Sequence, residues 1–351
     1  MANVQPQFEA FHDGIKLRRF KENQILRDKR DIIRGQLNER LPTVFEAHGE
    51  SCPIFSFRDQ GSYEIGTGIK PLDEDYDIDQ GIYFLVATLE YPDPVVPKER
   101  VFEALYGHTH DVRIRRPCVT VFYSLDDEPI YHVDLAVYSD GSVNADGKDH
   151  LAKGRQNSDK KYRAWEVSDP QGLADAIFAR FEGNDRKQFR RVVRYLKRWK
   201  DENFSSQGNA APLGIGLTVA SYEHLQPSYT DRLAGLPDDR AALRALVDAV
   251  INRFTFVWDN DEQKVVRRLA IYLPVEPWND LFEQMTSEQM KALEDKLMAL
   301  RNALDTAVEE VDPVEACKVL RSVLGESFPV PKAEETAKRH APAIVSSSSS
   351  A

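Results

Sequence analysis

Cysteine is scarce in this 351-residue sequence: Cys52, Cys118 and Cys317 are an odd number, far apart, and show no C-x-x-C spacing. That excludes a disulfide framework and a zinc ribbon, and it predicts reduced, buried thiols. No run of about 18 apolar residues occurs, and the opening MANVQPQFEAFHDG lacks the basic and apolar regions of a secretory signal. A cytoplasmic protein without a membrane partner is expected. A surplus of positive charge is missing too, since 46 Lys and Arg stand against 57 Asp and Glu, for a formal net charge of −11. This balance argues against nucleic acid as the main ligand. No internal repeat is present. The length suits two packed lobes with a cleft between them.

Most of the chemistry sits between Gly61 and Asp79. A Gly61-Ser62 turn offers backbone N–H groups and a hydroxyl, the groups that hold a polyphosphate without steric conflict. About fifteen residues later, Asp77 and Asp79 alternate with Tyr76 and Ile78 on a strand, so the two carboxylates share a face and can bridge divalent ions. Asp75 and Asp77 form an equally spaced pair, and spacing alone leaves both registers open. A third acid, Asp134, lies mid-strand in YHVDLAVY (131–138), where burial is costly unless something neutralises it. An exposed edge strand would also satisfy Asp134, but the Asp77/Asp79 pair favours a metal. The aspartate series does not make a calcium loop, because Gln80 stands where glycine is needed and Val86 where a bidentate Glu is needed. His108-Thr109-His110-Asp111 has no further ligand at metal-binding spacing and reads as a polar loop.

Periodicity predicts one long helix from about Phe8 to Leu41, with Gly14 as the point where it could be interrupted, bracing the lobes. Strands follow at 51–58, from Asp77 to Val86, at 118–123 and at 131–138. Residues 139–170 read as irregular, with a lobe boundary near Asp169-Pro170. Beyond it the chain reads as almost wholly α. Asn184 or Asp185 caps a helix with an apolar stripe of Phe189, Val192, Val193, Leu196 and Trp199 and a basic flank of Arg190, Arg194, Lys197, Arg198 and Lys200. Such a flank is usually solvated, but it would also suit a polyphosphate. Helices follow over 210–223, 238–256 and from a Thr286/Gln289 capping box to about Val311, and a last one runs from Asp312-Pro313 to Leu324. The serine-ended tail after Phe328 reads as disordered.

In order along the chain, QGSY, DYDIDQGIYF, YHVDLAVY and RYLKRWK closely resemble the polymerase-β-type nucleotidyltransferase superfamily, and within it the bacterial CD-NTases, relatives of cyclic GMP-AMP synthase and oligoadenylate synthase. The resemblance spans about residues 50 to 225. It implies an α+β fold of two lobes: a bracing helix over 1–45, a mixed-sheet catalytic lobe over 46–168, a helical lobe over 169–328 and a disordered tail over 329–351. It further implies that Asp77, Asp79 and Asp134 bind two magnesium ions, for which manganese can substitute. Gly61 and Ser62 would hold the donor triphosphate, and Lys197 with Arg194 would steady its outer phosphates. The Gln-Gly-Ile-Tyr after Asp79 matches the bacterial form and favours the Asp77/Asp79 register. ATP or GTP would be joined and cyclised into a second messenger for anti-phage (CBASS-type) defence, acting on a separate effector. The C-terminal Ala351 would be a possible target of ubiquitin-like conjugation. A terminal nucleotidyltransferase acting on RNA or a small molecule is the alternative. The clustered Cys and His of DNA-activated relatives are missing, which argues against DNA activation. Leu213 stands where many relatives carry a hydroxyl residue, leaving any phosphate contact there to the backbone.

Overall fold

Period-two patterning builds the sheet of the first half. In the computed structural model, which describes residues 2–17, 22–72, 76–125, 128–205, 211–260 and 262–332, seven strands form one sheet. These are β1 (Phe55–Asp59), β2 (Tyr76–Phe84), β3 (Asp111–Ile114), β4 (Val119–Leu125), β5 (Glu128–Ser139), β6 (His150–Lys153) and β7 (Ala164–Val167). The order is β1-β2-β5-β4-β3, with β6 joined to the C-terminal end of β5 and β7 beyond it. β2 and β5 run parallel, and their neighbours are antiparallel. The protein is α+β with a mixed sheet.

One face of the sheet carries Ile78, Ile82, Val133, Leu135 and Val137, all fully buried. They pack against Ile33, Leu37, Leu41 and Phe45 of a long helix (Glu22–Ala47) and Val101, Ala104 and Leu105 of a shorter one (Val95–Leu105). The first of these is α2, because the single helix expected over 8–41 is two. α1 (Gln5–Ile15) buries Phe8, Phe11 and Ile15 in a different core, where the two phenylalanine rings pack on Tyr195 and Phe328 at 5.2–5.5 Å between ring centroids. Two apolar stripes that serve two separate cores cannot lie on one straight rod, and the chain breaks between them. Counting in order, α3 is the short turn Gly61–Ile65 and α4 is Val95–Leu105.

The second core is built by α5 (Pro170–Arg180), α6 (Gly183–Asn203), α7 (Gly214–His224), α8 (Asp239–Ile251), α9 (Ser287–Glu309) and α10 (Pro313–Leu324). The Thr286/Gln289 capping box and the Asp312 cap are present. α6 begins one residue before Asn184, with Glu182 at the N-cap and no side-chain cap bond. Fully buried Asp239 ties α8 to α6 by an ion pair with Arg191 at 2.6 Å, and its N–H donates to Gln5 Oε1 of α1 at 2.8 Å. A buried charge held this way is costly to break from either side.

Three expectations are corrected. Residues 139–170 are not irregular throughout, because they contain β6 and β7. The second half is not wholly α: β8 (Tyr229–Asp231) pairs with β9 (Leu236–Pro237), and β10 (Thr255–Asp259) with β11 (Lys264–Arg268). The helix expected to reach Phe256 stops at Ile251, since Phe256 and Trp258 alternate on an exposed strand face instead of closing a helical stripe. The tail, with the disorder and conjugation expected of it, lies at 333–351 outside the described residues. Among the described residues no helix is long and apolar enough to cross a membrane.

Candidate active site

The parallel pairing of β2 with β5 sets Asp79 beside Asp134 and Asp77 beside His132. Adjacent strands lie about 4.8 Å apart, so this register gathers three carboxylates and one imidazole on one patch of the sheet. Ile78 faces the core on the opposite side, and Tyr76 stacks on Tyr131 at 5.3 Å between centroids. The alternative register cannot be compared, because Asp75 lies outside the described residues.

Gly61 adopts φ +66°, and a Cβ there would meet Asp79 Oδ2 at 2.0 Å. Only glycine gives both the left-handed backbone and the room for that carboxylate. Next to it, Gln60 is buried between Tyr83 and Tyr138, donating to the Tyr83 hydroxyl at 2.7 Å. The turn is thereby fixed from behind.

Gly61, Ser62, Asp77, Asp79 and Lys197 line one cleft of about 300 Å³. Thr67, Lys200, Gly214 and Thr218 complete its walls. Lys197 donates to Thr67 Oγ1 at 3.4 Å, and burial lowers its pKa to about 8, opposed by the nearby Asp77. Leu213 caps α7 without a side-chain bond and is half exposed, so the helix offers backbone N–H groups at Gly214 and Ile215 where a hydroxyl was missed.

The acids are under electrostatic stress. Burial, helped by Asp77 and Asp134 and opposed by His132 and Lys197, raises the pKa of Asp79 to about 7. Asp77 stands open at the cleft rim, yet the protein around it replaces enough water to raise its pKa as well, against His132 and with Asp134. Asp134 is positioned by a hydroxyl: fully buried Thr120 donates to its Oδ1 at 2.5 Å. Its Oδ2 stands 3.9 Å from His132 Nε2.

Crowded carboxylates with little counter-charge suit a divalent cation, which would relieve their repulsion. Among the described residues no group of three or more His, Cys, Asp or Glu side chains is placed so that together they could hold a metal ion.

Arg194 is placed elsewhere. It lines an adjoining cavity of about 900 Å³ behind α3, and its guanidinium is spent on the carbonyls of Gly66 and Gly68 and on His12 Nε2. Three residues of separation suggested a shared role with Lys197, but Arg194 is bonded to the Gly66 and Gly68 carbonyls while Lys197 reaches the Thr67 hydroxyl and lines the cleft of the acids. Thr67, Thr120 and His132 were not singled out as site residues in the sequence, and Lys200 was read only as part of the basic flank of α6. For His132 and Thr120 the signal was available, since both sit on strand faces shared with the acids.

Residues 55–138 match the family model described as "Cyclic GMP-AMP synthase DncV-like, nucleotidyltransferase domain". A curated "Cyclic GMP-AMP synthase" of Escherichia albertii is 29% identical over 219 residues, which is 59% of this chain and 42% of that protein. The chain therefore spans less than half the length of that relative. In fold, the Vibrio cholerae DncV cyclic AMP-GMP synthase superposes with a TM-score of 0.66 at 17% identity, covering 94% of this chain and 98% of that one. The Bradyrhizobium diazoefficiens CD-NTase CdnG, solved in complex with GTP, gives 0.67 at 13% identity, covering 93% and 96%.

Proposed function

We propose that this chain, whose residues 55–138 belong to the DncV-like nucleotidyltransferase domain family and whose whole fold is that of the bacterial CD-NTases, is a magnesium-dependent synthase of cyclic oligonucleotides. It would join ATP, GTP or both and close the ring to give a second messenger in anti-phage defence. The observation that carries this reading is the cleft lined by Gly61, Asp77, Asp79 and Lys197, with Asp134 beside Asp79 on the next strand and Gly61 packed on Asp79.

Asp77, Asp79 and Asp134 would hold the metal. Bound there, it supplies acidification of the attacking ribose hydroxyl and neutralisation of the leaving pyrophosphate. The chain's own groups do the rest. Ser62 and the N–H groups after Gly61 hold the donor phosphates, Lys197 and Lys200 balance their charge, and the N-terminus of α7 faces the same space. Thr120 holds Asp134 in one rotamer, leaving Oδ2 for coordination.

The test is incubation with four labelled nucleoside triphosphates and magnesium or manganese, phosphatase treatment, and mass spectrometry of resistant products. A phosphatase-resistant cyclic product that disappears in Asp77→Ala supports the proposal. Label retained on added RNA or on a small acceptor would instead support terminal transfer.

A further inference from the structure

Arginines 190, 194 and 198 recur every four residues on α6, so they line one edge of the helix. Each reaches from the helical lobe to the main chain that joins α3 to the carboxylate strand. Arg190 Nε donates to the Ile65 carbonyl at 3.1 Å. Arg194 donates to the Gly66 carbonyl at 2.6 Å, to the Gly68 carbonyl at 3.1 Å and to His12 Nε2 at 2.8 Å. Arg198 donates to the Lys70 carbonyl. Four carbonyls over six residues are thus taken by one helix.

We propose that these three arginines form a latch between α6 and the segment from α3 to β2, with Arg194 its principal positioning residue, that fixes the spacing of Ser62, Asp77 and Lys197. The segment they hold begins three residues after Ser62 and leads into β2. Lys197 lies on the same helix between Arg194 and Arg198, so a rung above and a rung below set its height over the cleft. Gly66 is part of the fit: its φ is +75°, and a Cβ would press on the Arg190 guanidinium at 3.1 Å. The charge of Arg194 is spread over two carbonyl dipoles and a neutral imidazole, partners a point ammonium could not all reach. The same segment is pinned from the other side, where Lys70 N–H donates to the Ile15 carbonyl at 2.8 Å and Leu17 N–H to that of Gly68 at 3.3 Å. α1, α6 and the phosphate turn therefore move as one body.

The latch rests on the reading of the cleft as a nucleotide site, but it can be tested without nucleotide. Amide hydrogen exchange of the unliganded full chain is compared with that of Arg194→Gln. Loss of charged donors to two carbonyls should speed exchange over residues 66–70 about tenfold or more, with the β10–β11 hairpin unchanged. In triphosphate turnover, kcat should fall along with a rise in KM. Unchanged exchange over 66–70 with a rise in KM alone would make Arg194 a phosphate ligand and overturn the latch. Should Arg194→Gln fail to fold, Arg198→Gln removes one rung, and unaltered exchange at 68–72 there overturns the proposal equally. Absence of any product from the unsubstituted protein would count against the nucleotide reading, while the exchange comparison still decides the latch.

Discussion

At the scale of single residues, Gly61 and Thr120 act on carboxylates they do not resemble. Gly61→Ala would drive a methyl into Asp79 Oδ2, now 2.0 Å from where the Cβ would sit, in a backbone conformation alanine resists. Product formation should fall at least about a hundredfold, a loss of roughly 2.7 kcal/mol in transition-state stabilisation, while far-ultraviolet circular dichroism stays that of the parent. Thr120→Val keeps the shape of the side chain but removes the hydroxyl donor to Asp134. A hydrogen bond to a charged group is worth about 1.5–3 kcal/mol, so turnover should drop roughly 10- to 100-fold and the magnesium requirement should rise. Thr120→Ser should recover most of both. Equal metal titrations for Thr120→Val and the parent would remove Thr120 from the site.

Among the elements, α4 and the edge of the sheet depend on one lysine. Lys98 is fully buried and donates to the carbonyls of Arg115, Arg116 and Gly154 at 2.6–2.8 Å. It binds α4 to the turn before β4 and to the chain after β6. Lys98→Met fills the same volume but strands three buried acceptors, and it should lower stability to urea by about 3 kcal/mol or more. A midpoint and slope matching the parent would show that water takes over those carbonyls. The elements that escaped sequence reading share a cause. In β10, Phe256 and Trp258 are exposed, so their alternation marks a surface and adjoins the strong helical period of α8. β6 and β7 are four residues each, too short for a pattern to stand out from the polar turns around them.

At the scale of the whole molecule, α1 is tied to α6 at His12, which accepts from Arg194 only while neutral. Burial lowers its pKa to about 4, aided by Arg194, Lys16 and Arg191 and opposed by Asp13. Its ordinary value is 6.5. Between those two values the unfolded chain binds more protons at this position than the folded one, so stability should fall as pH drops from 6.5 toward 4. Urea midpoints measured across that range should decline less steeply for His12→Gln, which keeps an acceptor without a titrating ring. Identical slopes would place the pH dependence in other groups.

What the sequence by itself determined was local: a glycine-serine turn, acids alternating on strands that are otherwise apolar, a helix with an apolar stripe and a basic edge. Period and charge sufficed because those features depend on neighbours within a few residues. Only the tertiary structure decided which carboxylates stand side by side, since the parallel register of β2 on β5 joins residues more than fifty apart. It also decided what each cation does. Arg194 and Lys197 look alike along α6, and one is committed to carbonyls while the other faces the acids, because a guanidinium's partners are set by which backbone the fold brings within reach.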